Sequence, residues 1–317
     1  MRACFLDAGS VGDRLDWSRL DDAADEWRWY HATPAEELHE RIADVDVIVT
    51  NKVVIDRQAI EAATDLKLIC LTATGTNNID LDAAAERSIP VINVTGYATA
   101  AVSQHVLALM LAFATRWHDY DAAVAQGAWQ RAEFFAMHDY PIEELDGATL
   151  GIVGYGELGA AVARLAKAFG MHVLIAERPG ADHVREHRRP FEEVLAASDY
   201  LTLHCPLTER TRGLIDAAAL ARMKNSAVVI NTARGGVIDS HALINALDNG
   251  VIAGAAVDVL DNEPPRDGHP LLEHKPANLI ITPHTAWASR AARQRAIDGV
   301  ADHIAAFRAG DDSGRVN

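Results

Sequence analysis

The sequence predicts an α/β protein with two domains, each built around a parallel β-sheet. Short apolar runs alternate with amphipathic stretches along most of the chain, which is the pattern of strands joined by crossover helices. One apolar run, 149–153, leads into three spaced glycines and then into a helical stretch, and this marks a second structural unit. A chain of 317 residues is also long enough to bury two hydrophobic cores.

The first hundred residues are predicted to form the smaller domain, because they alternate strands and helices but contain no spaced-glycine motif. A long helical pattern over 99–126 follows, and then an irregular aromatic segment over 127–145. Exposed aromatic side chains in such a segment favour a contact between subunits, with packing on their own domain as the alternative. Strands are predicted at 2–6, 27–31, 45–50, 66–72 and 91–94, and helices at 34–43 and 56–63.

Gly154, Gly156 and Gly159 stand between a strand and a helix, in the order that a dinucleotide site requires. Gly154 permits a tight turn, Gly156 lets backbone N–H groups approach a pyrophosphate, and Gly159 lets the helix pack on the strand. The N-terminus of the helix offers unpaired N–H groups to the phosphates. We therefore predict that this turn, with Glu157 and Leu158, binds a nucleotide, while the Glu157 carboxylate points to solvent. A purely structural turn is the alternative.

Glu177 ends the next apolar run, 171–176, at about the spacing expected of the acidic residue that binds a ribose. A carboxylate there accepts hydrogen bonds from a ribose 2′-hydroxyl and repels a 2′-phosphate, so the sequence favours NAD as the cofactor. Arg178 keeps NADP open as the alternative, because an Arg in this place can bind the phosphate. The basic segment 185–189 is expected to be a solvated loop.

Composition and charge argue against several classes of protein. The formal net charge of −16 argues against nucleic acid and anionic membrane surfaces as partners. The longest apolar run, 106–114, is far shorter than the roughly 20 residues needed to cross a bilayer. Cys4, Cys70 and Cys205 lie in apolar runs without a C-x-x-C pair, which predicts a reduced, cytoplasmic protein and no metal site.

Successive strands of the second half are followed by residues that suit acid–base chemistry, and parallel strands share the edge at which they end. His284 can donate a proton to a ketone oxygen, Glu263 can fix its tautomer, and Arg234 can bind a substrate carboxylate. Asp258 could bind a nicotinamide amide or position a ribose. A surface Arg, a turn Glu and a structural His are the ordinary alternatives. The strands are predicted at 200–203, 227–231, 253–257 and 279–282.

These residues resemble the D-isomer-specific 2-hydroxyacid dehydrogenases over nearly the whole chain, and within that family the glycerate dehydrogenases, also called hydroxypyruvate reductases. The resemblance implies two parallel-sheet domains of Rossmann-like and flavodoxin-like type. The NAD-binding domain, 99–288, would be inserted into a substrate domain made of 1–98 and 289–317, and 102–145 would join a homodimer. The matching segments are 154–159, 204–208, 231–236, 256–264 and 283–284, with softer matches at 173–178 and 284–289.

The resemblance also implies roles for individual residues. Arg234, Glu263 and His284 would form the catalytic trio, with His284 as the acid/base. The backbone N–H groups of Thr74 and Gly75 would bind the substrate carboxylate. Trp287 is expected either to wall the substrate pocket or to belong to the core. Further coenzyme contacts are expected at His204, Cys205, Pro206, Thr232, Ala233 and Asp258.

We therefore expect a cytoplasmic oxidoreductase that transfers a hydride between NAD(H) and a small D-2-hydroxy acid or 2-keto acid. Hydroxypyruvate with D-glycerate, or glyoxylate with glycolate, is the expected substrate pair. Another dehydrogenase of the family, acting on phosphoglycerate, lactate or formate, is the alternative among enzymes. A nucleotide-sensing protein without catalysis is the other alternative, and the presence of Arg234, Glu263 and His284 argues against it.

Overall fold

The computed structural model describes all residues from 1 to 317 and divides the chain into two compact units. The first unit comprises Met1–Ala98 and Trp287–Asn317, and the second comprises Thr99–Ala286. Each unit contains one parallel β-sheet with helices, so the predicted α/β fold with two parallel-sheet domains is confirmed. No helix combines the length and the apolar character needed to span a membrane.

Eleven strands and twelve α-helices make up the regular structure. The strands are β1 (Arg2–Phe5), β2 (Glu26–Trp29), β3 (Val47–Thr50), β4 (Leu68–Leu71), β5 (Val91–Asn93), β6 (Thr149–Val153), β7 (His172–Ile175), β8 (Tyr200–Leu203), β9 (Val228–Asn231), β10 (Gly254–Val257) and β11 (Leu279–Ile281). The helices are α1 (Ser18–Asp21), α2 (Leu38–Ile42), α3 (Arg57–Ala62), α4 (Leu81–Glu86), α5 (Thr99–Thr115), α6 (Trp117–Ala125), α7 (Glu157–Ala168), α8 (Phe191–Ala197), α9 (Ala217–Leu220), α10 (Ser240–Asp248), α11 (Pro270–Glu273) and α12 (Arg290–Arg308).

The sheet of the first unit has five strands in the order β2-β1-β3-β4-β5, which is the flavodoxin-like order. Strands β3 and β4 are buried along their whole length, as expected of apolar central strands covered on both faces. The last helix, α12, contributes Ile297, Val300 and Ile304 to the core that contains Phe5. Ser289 caps that helix by accepting a hydrogen bond from the backbone N–H of Ala292.

The sheet of the second unit has six strands in the order β11-β10-β9-β8-β6-β7. From β6 the chain passes to β7 on one side and then returns to β8 on the other side. The order therefore reverses between β6 and β8, and the carboxyl ends of strands at such a point are where open α/β sheets bind ligands. Beyond β7, Arg189 forms a one-residue parallel bridge with Ala176 and extends the sheet.

The helical pattern predicted over 99–126 is divided between two helices, α5 and α6. Arg116 separates α5 from α6 and has a left-handed backbone, with φ of 52°. An α-helix cannot continue through such a residue. The Arg116 side chain donates to the Asp119 carboxylate at 2.6 Å, in the first turn of α6.

Candidate active site

The spaced-glycine turn lies at the point where the strand order of the second sheet reverses. Gly154 follows β6 and has a φ of +93°, which side chains rarely allow. A Cβ on Gly154 would lie 2.6 Å from the backbone nitrogen of Cys205, which follows β8. A Cβ on Gly159 would lie 2.3 Å from the carbonyl oxygen of Gly154. Both glycines are therefore required by close backbone packing.

Gly156 differs from the other two glycines, because a Cβ placed there would meet no atom within 4 Å. No side chain caps helix α7, so its first N–H groups, at Glu157 and Leu158, have no side-chain acceptor at this end. The Glu157 side chain is exposed, as expected, and one of its oxygens accepts a hydrogen bond from the Thr99 hydroxyl at 2.5 Å. An open glycine beside uncapped N–H groups suits a pyrophosphate.

The ends of β8 and β9 carry two buried polar atoms that have no protein partner, His204 Nδ1 and Thr232 Oγ1. Such atoms are rare in folded proteins and call for an explanation. The other ring nitrogen of His204 lies 3.0 Å from the Thr202 hydroxyl oxygen. Burial lowers the pKa of the His204 imidazole to about 4, so the ring is neutral at neutral pH. Unpaired polar atoms at this edge, near the glycine turn, fit a bound dinucleotide.

The neighbouring positions expected to touch the coenzyme have different environments. Cys205 is buried, and burial raises the pKa of its thiol. Pro206 is exposed, and Ala233 is buried at the start of the loop after β9. These residues lie on the loops that follow β8 and β9, which leave the same edge of the sheet as the glycine turn.

Glu177, the residue expected to bind a ribose, is 4 % exposed and is already paired. Arg185 donates to its carboxylate through Nε at 2.8 Å and Nη2 at 2.5 Å, and through its backbone N–H at 3.1 Å. The backbone N–H of Arg178 donates a fourth hydrogen bond at 2.8 Å. These bonds, above all that from the Arg185 side chain, hold the pKa of the Glu177 carboxyl well below its usual range.

The segment 185–189, expected to be a solvated loop, is largely exposed, but its two ends also make contacts that were not expected. Arg185 binds the buried Glu177, and Arg189 exchanges backbone hydrogen bonds with Ile175 and Glu177 at 2.9 and 2.8 Å. Sequence reasoning missed these contacts because a run of basic residues is usually solvated, and nothing in the run itself shows that its backbone joins a sheet edge.

His284 and Glu263, expected to form an acid–base pair, are in contact. Nδ1 of His284 lies 2.5 Å from a carboxylate oxygen of Glu263. The other carboxylate oxygen accepts the backbone N–H of Leu260 at 2.6 Å, which holds the carboxylate in place. A proton on Nδ1 that points at a carboxylate leaves Nε2 as the exchanging nitrogen. Nε2 of the partly exposed His284 makes no hydrogen bond within the protein.

Asp258 holds the loop that carries His284. Its carboxylate is buried and accepts hydrogen bonds from the Thr282 hydroxyl at 2.5 Å and from the N–H groups of Thr285 and Ala286 at 2.9 Å each. Its carbonyl oxygen accepts the N–H of His284 at 2.7 Å. The contact of Asp258 with the nicotinamide or a ribose stays a prediction, and in the structure its carboxylate organises the His284 turn.

His105 extends this network and was missed by sequence reasoning. It lies on α5, and its Nε2 is 3.1 Å from the Thr282 hydroxyl oxygen and 3.8 Å from the Asp258 carboxylate. Nothing near His105 in the sequence indicates this contact, because its partners lie more than 150 positions later in the chain.

Arg234 follows β9 and is exposed, with its guanidinium donating to the carbonyl oxygen of Ala233 at 2.7 Å. The next residue, Gly235, packs against the loop that leads to Glu263: a Cβ on it would lie 2.0 Å from the carbonyl carbon of Leu260. The loops that carry Arg234, Glu263 and His284 leave one edge of the sheet from the three neighbouring strands β9, β10 and β11.

Thr74, Gly75 and Trp287 belong to the first unit. Thr74 and Gly75 lie in the loop after β4, where their backbone N–H groups donate to no protein acceptor. The Thr74 hydroxyl donates to the carbonyl oxygen of Val94 at 2.9 Å. Trp287 is half-buried and packs edge-on against Tyr97, with 6.2 Å between the ring centroids. Two adjacent free N–H groups suit an anionic ligand.

Residues 107–286, all within the second unit, match the sequence model of the D-isomer specific 2-hydroxyacid dehydrogenase, NAD binding domain. The chain belongs to the D-isomer specific 2-hydroxyacid dehydrogenases. This confirms the family inferred from the motifs. As a member of this family, the protein is an oxidoreductase that acts on CH–OH groups and has a domain for a nicotinamide cofactor.

Proteins similar to this dehydrogenase span nearly its whole length. A glycerate dehydrogenase from Methylorubrum extorquens is 42% identical over 310 residues, which cover 98% of this chain and 96% of that protein. A hydroxypyruvate reductase from Blautia hydrogenotrophica is 35% identical over 309 residues, covering 96% and 95%. The crystal structure of a protein from Thermus thermophilus covers 100% of both chains with 32% identity and a TM-score of 0.86.

Proposed function

We propose that this dehydrogenase interconverts hydroxypyruvate and D-glycerate and also reduces glyoxylate to glycolate. The observation that carries the proposal is the Glu263–His284 pair, whose free Nε2 lies at the sheet edge that also carries the glycine turn. Support for the substrate comes from the similar proteins named glycerate dehydrogenase and hydroxypyruvate reductase. An enzyme of the same family with another 2-hydroxy acid as substrate is the alternative.

In the proposed mechanism, protonated His284 donates the Nε2 proton to the keto oxygen of the substrate, and neutral His284 accepts it in the reverse direction. Glu263 orients the ring through its contact with Nδ1. Arg234 binds the substrate carboxylate through parallel hydrogen bonds. A nicotinamide coenzyme, when bound at this edge of the sheet, would supply or accept the hydride.

The coenzyme would be held by the loops at the carboxyl edge of the second sheet. The N–H groups of the turn from Gly154 to Gly159 would bind the pyrophosphate, and the buried polar atoms of His204 and Thr232 would gain partners. The prediction of NAD over NADP rests on the Glu177 carboxylate, which Arg185 already binds. The choice between the two coenzymes therefore depends on the contact between Arg185 and Glu177.

We also propose a separate role for each of the two units. The first unit would act as the substrate domain, with the Thr74 and Gly75 N–H groups binding a carboxylate and Trp287 beside the substrate. The second unit would act as the nucleotide domain.

We further propose that the enzyme is a homodimer and works in the cytoplasm. Segment 102–145 exposes large apolar side chains: Trp129 is 55%, Phe134 is 70% and Phe135 is 93% exposed. Such a cluster is costly in water and suits a subunit contact. The three cysteines are free, buried thiols, which suits a reducing compartment.

A panel of 2-keto acids tests the substrate proposal. Hydroxypyruvate, glyoxylate, pyruvate and 3-phosphohydroxypyruvate would be compared by kcat/KM, with consumption of NADH and of NADPH as the readout. We expect hydroxypyruvate or glyoxylate to exceed pyruvate and the phosphorylated acid by about tenfold or more. A preference for the phosphorylated acid or for pyruvate would assign a different substrate. Nucleotide binding without turnover of any acid would favour a sensing protein.

A further inference from the structure

The carboxylate of Glu177 is saturated by donors from its own loop. An ionised carboxylate has about four lone-pair sites, two on each oxygen. One oxygen accepts from the Arg178 N–H and Arg185 Nη2, and the other accepts from the Arg185 N–H and Nε. All four sites are therefore filled, so Glu177 has none left for the hydroxyl groups of a ribose.

The charges around this carboxylate are mostly positive. Arg185 neutralises Glu177 through the side-on pair of hydrogen bonds that suits Arg and carboxylate. Arg188 adds a second guanidinium 4.0 Å from the carboxylate, while it donates to the carbonyl oxygen of Ala176. The guanidinium of Arg178 is exposed and has no ion-pair or hydrogen-bond partner. One buried carboxylate is thus paired with Arg185 and lies near Arg188, and the unpaired Arg178 follows it directly in the chain.

A depression opens beside this group at the carboxyl end of β7. In an open α/β sheet this end lies where the adenosine of a dinucleotide binds. A free carboxylate in this place repels a 2′-phosphate, whereas a neutralised one does not. The lining residues are Glu177, Arg178, Pro179, Gly180, Phe191 and Glu192, among others.

We propose that this site accepts a 2′-phosphorylated adenosine, so that the enzyme binds NADP(H) at least as tightly as NAD(H). Arg185 is the specificity-determining residue, because it withdraws Glu177 from the ribose and cancels its charge. Arg178 is the cation left free for the phosphate. The inference deepens the proposed function, since it rests on dinucleotide binding at this sheet edge, but it does not depend on which acid is reduced.

Isothermal titration of the full-length protein with 2′,5′-ADP and with 5′-AMP tests the proposal, because these two nucleotides differ only in the 2′-phosphate. Wild type is expected to bind 2′,5′-ADP at least as tightly as 5′-AMP. Arg178→Gln should raise the Kd for 2′,5′-ADP by about tenfold or more, which is the loss expected for one charge-assisted hydrogen bond. Its Kd for 5′-AMP should stay within about twofold of wild type.

Arg185→Gln tests the contact with Glu177 itself. This change removes the cation that neutralises the Glu177 carboxylate, so the carboxylate should repel a 2′-phosphate. The Kd for 2′,5′-ADP should therefore rise by about tenfold or more, while the Kd for 5′-AMP should stay the same or fall. Glu177→Gln removes the carboxylate but keeps the arginines, and it should retain or tighten binding of 2′,5′-ADP. Arg222→Gln, which makes the same charge change at an exposed position away from this loop, is the matched control.

Two results would overturn the proposal. One is a wild-type enzyme that binds 5′-AMP more tightly than 2′,5′-ADP. The other is an Arg185→Gln enzyme with the same ratio of the two Kd values as wild type and Arg222→Gln. Neither nucleotide carries a nicotinamide, so a failure here is distinct from a failure of the proposed reduction, which the keto-acid panel measures.

Discussion

His284 occupies a strained backbone conformation that its neighbours impose. Its φ of 53° is in the left-handed region, which costs a residue with a side chain roughly 1 kcal/mol or more. The cost is offset by the hydrogen bonds that Asp258 accepts from the same turn. The left-handed backbone sets the direction in which the His284 side chain leaves the turn, and Glu263 then fixes the tautomer of its ring. At this scale the acid–base group is set by contacts from Asp258 and Glu263, which both lie on the loop that follows β10.

His204 allows a test by pH. Burial lowers the pKa of this imidazole from 6.5 to about 4, so between these values the unfolded chain binds a proton that the folded chain does not. Folding stability therefore rises with pH through this window and is lost as pH falls from about 6.5 towards about 4. We expect His204 to account for about 2 kcal/mol of the free energy of unfolding lost between about pH 7.5 and about pH 5.

Urea unfolding of His204→Gln at the two pH values, without nucleotide, measures this contribution. The variant should lose less stability on acidification than wild type, whatever its stability at neutral pH. His172→Gln changes an exposed histidine of the same unit and should keep the wild-type pH dependence. Equal pH dependence in wild type and His204→Gln would show that the buried ring does not resist protonation.

At the scale of elements, the sequence predicts the strands well because buried parallel strands are short, apolar and bounded by polar residues. Strands β3, β4, β8 and β9 lie within the predicted runs. The break between α5 and α6 could not be predicted, since the helical periodicity passes through Arg116 without interruption. The break depends on tertiary contacts such as the hydrogen bond from the Glu143 N–H to the Ala114 carbonyl oxygen.

In the candidate site, too, some contacts could be predicted from the sequence, whereas others depend on the paths of loops. Glu263 and His284 could be paired in advance, because strand order and the family motifs place both at one sheet edge. Two other contacts could not be predicted. These are the ion pair of Glu177 with Arg185 and the hydrogen bonds that Asp258 accepts from the His284 turn. Each depends on the path of a loop between the two residues, and a linear pattern does not specify that path.

Gly235 tests whether the Arg234 loop and the Glu263 loop must pack together. A Cβ at this position would lie 2.0 Å from the carbonyl carbon of Leu260 and 2.2 Å from the backbone nitrogen of Asp261, and backbone atoms cannot move aside cheaply. Gly235→Ala should therefore separate the loops, cost about 1–3 kcal/mol of stability and lower kcat by about tenfold or more.

Steady-state kinetics and urea unfolding of Gly235→Ala measure both effects. Gly236→Ala is the matched control, because its Cβ would meet only side-chain atoms, of Leu207 and Arg212, at 3.2 Å or more. That variant should keep most of its activity. Similar kinetics for the two variants would mean that the contact between the loops does not position the catalytic groups.

At the scale of the whole molecule, a strongly acidic chain carries a cluster of exposed aromatic residues. A net charge of −16 favours separate molecules, so self-association must come from apolar contact. We predict that wild type sediments at twice the 34.3 kDa chain mass. Phe135→Asp places a charge on a side chain that is 93% exposed and should shift the protein towards the monomer.

Analytical ultracentrifugation over a range of protein concentrations checks this prediction. Leu272→Asp, at an apolar side chain outside the aromatic segment that is 43% exposed, should leave the mass unchanged. A wild-type monomer at all concentrations, or a Phe135→Asp protein with the wild-type mass, would contradict the proposed dimer contact.

In the proposed mechanism the Glu263–His284 pair transfers the proton, while separate loops bind the coenzyme. The most direct measurement compares His284→Ala with wild type in two assays: kcat for hydroxypyruvate reduction, and the Kd of the reduced coenzyme from its fluorescence. The proposed mechanism predicts that His284→Ala lowers kcat by about 10²–10⁴-fold and leaves the Kd within about twofold of wild type. Turnover within about tenfold of wild type would contradict it.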